Sequence, residues 1–592
     1  MAWAPRRIGL ELRGWLGSPG QAVSAPNLDN HNIPSPEQDN FFTADPLAEA
    51  LWSRVFGEGY AVVRPHLETM GRSGALAERH SVLADRHPPT LATHDVRGEP
   101  ASRVEFHPAY GELEALSYGQ GIVNLKYDPA FLAALPGFRH RAGFAGGYYF
   151  AQSESGLFCP ICMTDGAAWV LERRAGDLPI VQETLAHLTT KDLGELWQGA
   201  MFLTERVGGS DVGANSVEAI RDGEGWRLRG HKWFCSNVMA QAILVLARMP
   251  EGGRGTRGLG LFLVLRERPA GNGGRIQIER LKDKFGTRSM ATGEVTLEDV
   301  EATLIAGAGE GFKAMAEMIN LSRTYNAVAS LSLVRRGILE ALAYGAERRA
   351  FGARLRELPL WRATVADLVA EHLASLVGVV SMIEALDRAE AGDASAAALS
   401  RALTPIAKAV TAKQAIWSVS ESMEAIGANA YIEWSPLPRL LRDAQVLPIW
   451  EGTTNVLSLD LLRVIGRDRA LEALFARVVR AIEGGRAEHP ELAAVIEHRR
   501  GILTKSLTGL VDASPAEQQR RARGLVEGLW RLFTAAMLLE GASDEQLRAP
   551  FVAALQRILA RPQTVAPAGA FAEAVDSASE EPLLRAGYRF EG

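Results

Sequence analysis

The period of the hydrophobic positions changes twice along the chain. From Pro46 to about Leu196, apolar residues recur at helical spacing in runs such as PLAEALWSRVFGEGY and PAFLAALPGF, broken by Pro and Gly loops including RHPPT. Between about Trp197 and Gly307 the period shortens: GWRLRGHKWF and RIQIERL alternate, while AILVLARM and LGLFLVLRE are short apolar runs. From Gly309 onward helical spacing returns in long segments: GFKAMAEMI through AYGAERRAF, ATVADLVAEHLASLVGVVSMIEALDRAE, TPIAKAVTAKQAIWSVSESMEAIG and TTNVLSLDLLRVIG. The pattern predicts a mainly α protein with a central β domain. A helical domain spans 26–196, a β domain 197–308 and a helical bundle 309–466. A further helical, Arg-rich domain spans 467–592, with a Pro/Ala-rich loop at ARPQTVAPAGA. The turns EGGRGTRG and PAGNGG leave no helix-length segment for parallel crossovers, so the sheet is expected to be largely antiparallel. Residues 1–25 read as a flexible tail, followed by a Pro-, Asn- and Asp-rich lead-in to Asn40.

Composition narrows the function classes. The chain has 592 residues, 47% hydrophobic and 23% charged, enough for three or four domains. A net charge of −6 argues against whole-molecule attraction to nucleic acid. Three cysteines are too few for a disulfide framework and fit a reducing, cytoplasmic setting. No uninterrupted apolar run approaches the ~18 residues of a membrane span, and no signal-type apolar region opens the chain. The opening MAWAPRRIGLELRGWLG is Arg-rich, as an organellar presequence would be, but Glu11 and the scarcity of Ser favour a tail. There is no Walker A sequence and no G-x-G-x-x-G after a strand, so a bound nucleotide is held some other way. Cys159-Pro-Ile-Cys162 looks like half a zinc ribbon, but no second pair completes four ligands, and no metal is expected.

Four motifs carry chemistry. In MFLTERVGGSDVGA, Gly208 and Gly209 allow backbone to approach a flat group closely, and the hydroxyls are donors that add no charge; a Gly-rich turn is the plainer alternative. About thirty residues later GHKWFCSN brings an aromatic and a hydroxyl into a strand. Tyr344-Gly-Ala-Glu-Arg348-Arg-Ala-Phe351-Gly352 offers an arginine whose planar donors suit a diphosphate, or a solvated helix end. Leu447-Pro-Ile-Trp-Glu451-Gly-Thr-Thr-Asn455 places a carboxylate just before a helix, where an acidic residue is also a common helix-initiating feature.

In this order and spacing the motifs resemble the acyl-CoA dehydrogenase superfamily from roughly Pro160 to Gly466. The resemblance implies FAD. Met201, Leu203, Thr204, Gly209 and Ser210 would line the flavin, Phe234 would stack on it where the family more often has Trp, and Ser236 would stand at N5 where Thr is commoner. Arg348 and Phe351 would reach a neighbouring subunit's FAD, and Glu424, Gly427, Thr453 and Asn455 would complete its contacts. Pro359 stands where a Gln is usual. Glu451 would be the base that takes the substrate's α-proton while hydride leaves to the flavin from the other side. In an apolar slot beside Trp450 its carboxyl is expected to rise toward neutrality. Relatives with the base on the bundle helix carry it just before an Arg. Here that position is Ser322, which leaves Glu451 as the candidate and gives Arg323, with Ser210, a place beside the substrate. The implied reaction is α,β-dehydrogenation of an acyl-CoA thioester, with an electron-transfer flavoprotein as acceptor; an acyl-CoA oxidase would use the same groups.

The early FHPAY segment, CPICMT, ERLKDKFGTRS and PIWEGTTN resemble the AidB-like branch in particular, as do Glu424 and Pro359. That branch implies a second possibility, a DNA-binding flavoprotein of the alkylation-damage response that binds duplex DNA through its C-terminal helices. Beyond Arg467 basic and acidic residues are nearly balanced, against that reading, although Arg499, Arg500, Lys505, Arg520, Arg521, Arg523 and Arg531 could share a face. A diphosphate met from a neighbouring chain requires at least a dimer, and the family habit is a homotetramer.

Overall fold

The computed structural model describes residues 38–266, 274–467, 469–560 and 580–587. The tail over 1–25, nearly all of the lead-in, the PAGNGG turn except its last glycine and the ARPQTVAPAGA loop after its first residue lie outside them. The first domain holds α1 (Ala48–Phe56), α2 (Tyr60–Arg86), α3 (Pro108–Ser117), α4 (Pro129–Ala134), α5 (Arg139–Phe150), α6 (Phe158–Ala175) and α7 (Pro179–Leu188). Proline opens α3, α4 and α7, where its missing N–H costs nothing and its fixed φ suits the first turn. His107 and Asp128 cap α3 and α4 by accepting the amides of Ala109 and Ala130.

The helical pattern of this domain conceals a hairpin, β1 (Thr90–His94) and β2 (Pro100–Glu105), which begins at the last residue of the RHPPT loop. Val104 joins the core of the β domain, and the Ile278 amide donates to Ser102 Oγ at 3.0 Å. The segment is strand because it completes another domain's packing, a tertiary cause that local periodicity does not carry.

The β domain comprises β3 (Gly199–Phe202), β4 (Glu218–Asp222), β5 (Gly225–Ser236), β6 (Ala242–Arg248), β7 (Leu259–Leu265), β8 (Arg275–Leu281) and β9 (Thr292–Ala306). Pairings β6–β7, β7–β9, β9–β5 and β5–β4 are antiparallel, and the ring closes through β4–β6. The strands β6 and β7 are continuous apolar runs because both faces are buried, whereas β5 alternates. Two pairings depart from the antiparallel expectation: β4 meets β6 in parallel at Glu218↔Arg248, and β3 runs parallel to β6 from Gly199↔Ala242 to Phe202↔Val245, the β4–β5 hairpin standing in for a crossover helix. Between Lys232↔Val295 and Cys235↔Gly293, β5 advances one residue more than β9. This bulge interrupts the alternation at Trp233 and Phe234 and leaves Phe234 55% exposed in a domain of buried strands.

The bundle is α8 (Gly311–Glu347), α9 (Pro359–Glu390), α10 (Ala394–Ile426), α11 (Leu437–Ala444) and α12 (Thr454–Arg467). Beyond it lie α13 (Ala470–Arg486), α14 (Pro490–Val511), α15 (Pro515–Gly541), α16 (Arg548–Ala560) and α17 (Glu580–Gly587). These later helices continue the bundle's hydrophobic core, with Trp530 Nε1 donating to Ser375 Oγ at 3.4 Å and Arg557 paired with Asp367 at 2.7 Å. Helix α9 is long and apolar enough to cross a membrane by length and composition, but 89% of its apolar window is buried inside the protein.

Candidate active site

Glu451 sits in a tight turn between Leu447 and α12. Its φ is 57° and that of Gly452 is 100°, so two consecutive peptides are turned toward the interior. Three contacts receive the carbonyls. Lys408 Nζ, on α10 and fully buried, donates to Trp450 O and Gly452 O, both at 2.7 Å. Arg323 Nε, on α8, donates to Glu451 O at 3.1 Å. Arg323 is itself held by Asn320 Oδ1 at 3.0 Å and Asp460 Oδ2 at 2.9 Å, and Asp460 also takes Arg401 at 2.7 Å. Asn326 Nδ2 ties Leu447 O at 3.0 Å, and Thr453 caps α12 by accepting the Val456 amide. Thr453 and Asn455 are exposed at that helix start.

Burial raises the Glu451 carboxyl above the usual carboxylate range, opposed by the nearby charges of Lys408 and Arg323. The same burial brings Lys408 down to about 7, with Glu451 pulling the other way. The slot is therefore lined by cations as well as Trp450, a correction to the purely apolar slot expected. Sequence reasoning did not single out Lys408; its signal was a lone charge inside the apolar run TPIAKAVTA. Ser322, buried on α8 just before Arg323, offers no carboxylate.

Across from this turn is the first part of α6. Burial pushes the Cys159 thiol up to about 12, with the Glu451 charge adding to the rise and Lys284 opposing it; Cys162 is pushed up likewise. Both are free thiols. Lys284 Nζ donates to Met290 O at 2.6 Å and Thr292 Oγ1 at 3.2 Å, and Thr292 Oγ1 lies 3.3 Å from Ser236 Oγ. A chain of neighbours thus runs Glu451, Cys159, Lys284, Thr292, Ser236. The candidate base is thereby linked to the candidate flavin wall through residues from four parts of the sequence.

The wall is built by β3, β5 and the loop after β3. The Trp233 amide donates to Thr204 O at 2.9 Å, setting Thr204 beside Phe234. Glu205, one residue on, forms a buried ion pair with Lys232 and accepts the Ser216 and Val217 amides at 2.6 and 3.2 Å. Gly208 has φ 115°, and a Cβ on Gly209 would come within 2.7 Å of Thr204 Oγ1. The positive φ makes Gly208 the residue that the turn requires. Met201, Leu203 and Thr204 are half-buried, whereas Gly209 and Ser210 are exposed.

Arg348, Phe351, Glu424 and Gly427 form a second group. They lie at the C-terminal ends of α8 and α10, which are tied by Asn429 Nδ2 to Tyr344 OH at 2.8 Å. From Arg323 to the end of α8 is about 36 Å at the helical rise of ~1.5 Å per residue. One chain does not bring this group to its own Glu451. Arg348 opens a two-stranded hairpin whose turn is Phe351 at φ 54° and Gly352 at φ 81°, with Phe351 81% exposed.

Four of the seven C-terminal basic residues are engaged within the chain. Arg500 pairs with Glu497, Arg520 and Arg521 share Glu517, and Arg499 Nη2 donates to Leu559 O. Among the described residues His140, Asp387 and Glu390 form a cluster of metal-ligand type. Its carboxylates are already engaged: Asp387 with Arg141 at 2.8 Å and Glu390 with Arg139 at 2.9 Å.

Three family models match the chain: the adaptive response protein AidB N-terminal domain over 32–192, the acyl-CoA dehydrogenase middle domain over 200–300, and the acyl-CoA dehydrogenase C-terminal domain over 309–466. Acyl-CoA dehydrogenase family member 11 of Caenorhabditis elegans is 33% identical over 531 residues, 86% of either chain. The putative acyl-CoA dehydrogenase AidB of Escherichia coli (strain K12) is 32% identical over 470 residues, 76% of this chain and 83% of its own. Among solved structures, C. elegans ACDH-11 in complex with C11-CoA superposes with a TM-score of 0.83 at 30% identity, covering 96% of this chain and 93% of that one. The apo form of Bd2924 superposes with a TM-score of 0.76 at 32% identity, covering 86% of this chain and 99% of its own.

Proposed function

The chain belongs to the acyl-CoA dehydrogenase family, with an AidB-type N-terminal domain, and on that premise we propose that it is an FAD-dependent dehydrogenase of acyl-CoA thioesters with Glu451 as base. The observation that carries this reading is the chain of neighbours from Glu451 through Cys159 and Lys284 to Thr292 and Ser236. It supports the reading by linking a carboxylate to a wall of hydroxyls. The wall fits a flavin: Phe234 offers an exposed aromatic face, Thr204 and Ser236 offer neutral hydroxyls, and the turn at Gly208 and Gly209 brings backbone close. When bound there, FAD supplies the acceptor for the hydride leaving the substrate's Cβ.

The protein's own groups do the rest. Glu451 takes the proton from Cα. Burial has already raised its proton affinity toward what that transfer needs, while Lys408 and Arg323 keep enough positive charge nearby for the carboxylate to form. Arg323 and Lys408 hold the turn, and the Glu205–Lys232 pair holds the loop bearing Thr204 and Ser210. Arg348, Phe351, Glu424 and Gly427 serve the cofactor of a neighbouring subunit, a role supported by their distance from Glu451 along α8. The working form is accordingly a homo-oligomer, most simply a tetramer. A reducing, cytoplasmic setting is supported by three free thiols, and electrons pass to an electron-transfer flavoprotein.

Anaerobic titration of the FAD-loaded protein with a panel of acyl-CoAs tests the reading. Bleaching of the flavin by at least one of them is expected in the wild type and not in Glu451→Gln, with FAD content equal. A spectrum unchanged across the panel overturns it. Hydrogen peroxide formed in air by the reduced protein would replace the dehydrogenase reading with the oxidase one.

A further inference from the structure

Lys408 is a fully buried charged group at the candidate site. It lies on α10, and both hydrogen bonds given for its ammonium go to carbonyls flanking a single residue, Trp450 O and Gly452 O at 2.7 Å. The carboxylate that acts on it is Glu451. A buried ammonium is costly unless it is paired and hydrogen-bonded. Here the compensation comes from the turn that carries the base.

The turn needs such support. Glu451 at φ 57° is a non-glycine residue in the left-handed region, a conformation that costs on the order of 1 kcal/mol or more and persists only where its surroundings impose it. Three consecutive carbonyls, of Trp450, Glu451 and Gly452, point to buried cations. That arrangement fixes both peptides on either side of the Glu451 Cα.

We propose that Lys408 is the positioning residue of the base, its ammonium holding the peptide before Glu451 and the one after Gly452, and so both ends of the turn, and supplying the positive charge against which the Glu451 carboxylate forms. The inference rests on the reading of Glu451 as base. Arg323 shares the work but is held by Asp460 and Asn320, so its charge is already matched; that of Lys408 is matched by Glu451.

The groups facing Glu451 are Lys408 from α10, Arg323 from α8, and the thiols of Cys159 and Cys162 from α6, with Lys284 beyond Cys159. Those facing Lys408 are Glu451, Arg323 and Lys413. Burial keeps both thiols protonated. Removing the charge of Lys408 therefore leaves Glu451 to ionise against burial with Arg323 alone, and the base becomes competent only at higher pH.

The test is the pH dependence of anaerobic flavin reduction by an acyl-CoA that bleaches the wild-type holoprotein, measured for the wild type, Glu451→Gln, Lys408→Met and Lys408→Arg at matched FAD content. In Lys408→Met the rate of flavin reduction is expected to fall about 100-fold, as for a reacting group displaced by a fraction of its contact distance. Its acid limb is expected to move up by about one pH unit or more. Lys408→Arg, which keeps the charge and the donors, is expected to return the limb to the wild-type position. If Lys408→Met does not retain FAD, Lys408→Gln keeps one donor, removes the charge and is expected to show the same displacement.

Bleaching of Glu451→Gln at the wild-type rate overturns both the base and its positioning residue. Loss in Glu451→Gln beside a Lys408→Met profile matching the wild type overturns the Lys408 proposal alone. A slower neutral variant whose acid limb has not moved also overturns it, by reducing Lys408 to a packing role.

Discussion

Glu205 and Lys232 form an ion pair at 2.8 Å with side chains 4% and 0% exposed, at the root of the loop that presents Thr204 and Ser210. Lys232 also donates to Leu246 O at 2.9 Å, so one ammonium joins that loop, β5 and β6. Removing one partner leaves the other charge buried, at a cost of about 3–5 kcal/mol, whereas removing both is far milder. Lys232→Met is expected to lose FAD in gel filtration and to lower the thermal midpoint. The double variant Glu205→Gln/Lys232→Met should recover much of the midpoint. A single variant with wild-type FAD content would show that the loop is held by other contacts.

At the far end of the bundle, Arg348 and the exposed turn at Phe351 and Gly352 stand about 36 Å along α8 from the base of the same chain. If they complete a neighbour's cofactor site, Arg348→Ala should release FAD while leaving the Glu451 turn intact. Phe351→Asp should release FAD and also lower the oligomer mass seen by light scattering. Retained FAD in a dissociated Phe351→Asp protein would separate assembly from cofactor binding.

Glu78 on α2 lies between Arg336 of α8 and Arg439 of α11, each at 2.8 Å, and joins the first domain to the bundle. Burial opposes its ionisation, but the two arginines outweigh burial and bring its carboxyl to about 2 from a starting value of 4.5. A carboxyl held below its unfolded value contributes stability above the unfolded value and loses it as pH falls toward the folded one. The pair of values corresponds to about 3 kcal/mol at neutral pH. Glu78→Gln is expected to melt below the wild type at pH 7, with the gap closing as pH falls below about 4.5. A gap that does not change with pH would assign the loss to packing.

Much of this architecture was legible because it depends on local pattern: the change of hydrophobic period at the β domain, the long bundle helices, and a carboxylate before α12. What the pattern did not carry was long-range. The hairpin at Thr90 is strand because it docks on β8, the β3–β6 pairing is parallel because a hairpin replaces the crossover, and the tail helices share the bundle core. At the site, Glu451 and Arg323 stood out as motif residues, yet Lys408, Lys284 and Lys232 did not. Lys408 and Lys232 are buried lysines whose partners are distant in sequence, and Lys284, though its partners Met290 and Thr292 are near, sits in a polar stretch that marks no site.

That sharing of core makes a final prediction about Gly378, in the middle of α9. A Cβ there would come within 2.7 Å of Thr534 Cγ2 and 2.8 Å of Trp530 Cη2, both on α15. The indole is fully buried and hydrogen-bonded to Ser375, so it has little room to withdraw. Overpacking at such a contact costs roughly 1–3 kcal/mol. Gly378→Val is therefore expected to lower the thermal midpoint and to increase protease cleavage in the helices beyond Gly466, even though valine alone would cost the helix little. The site residues lie on other elements, so FAD content below the transition should not change. A Gly378→Val protein with the wild-type midpoint would mean that α15 can shift on α9, and that the C-terminal helices are held less tightly to the bundle than their shared core implies.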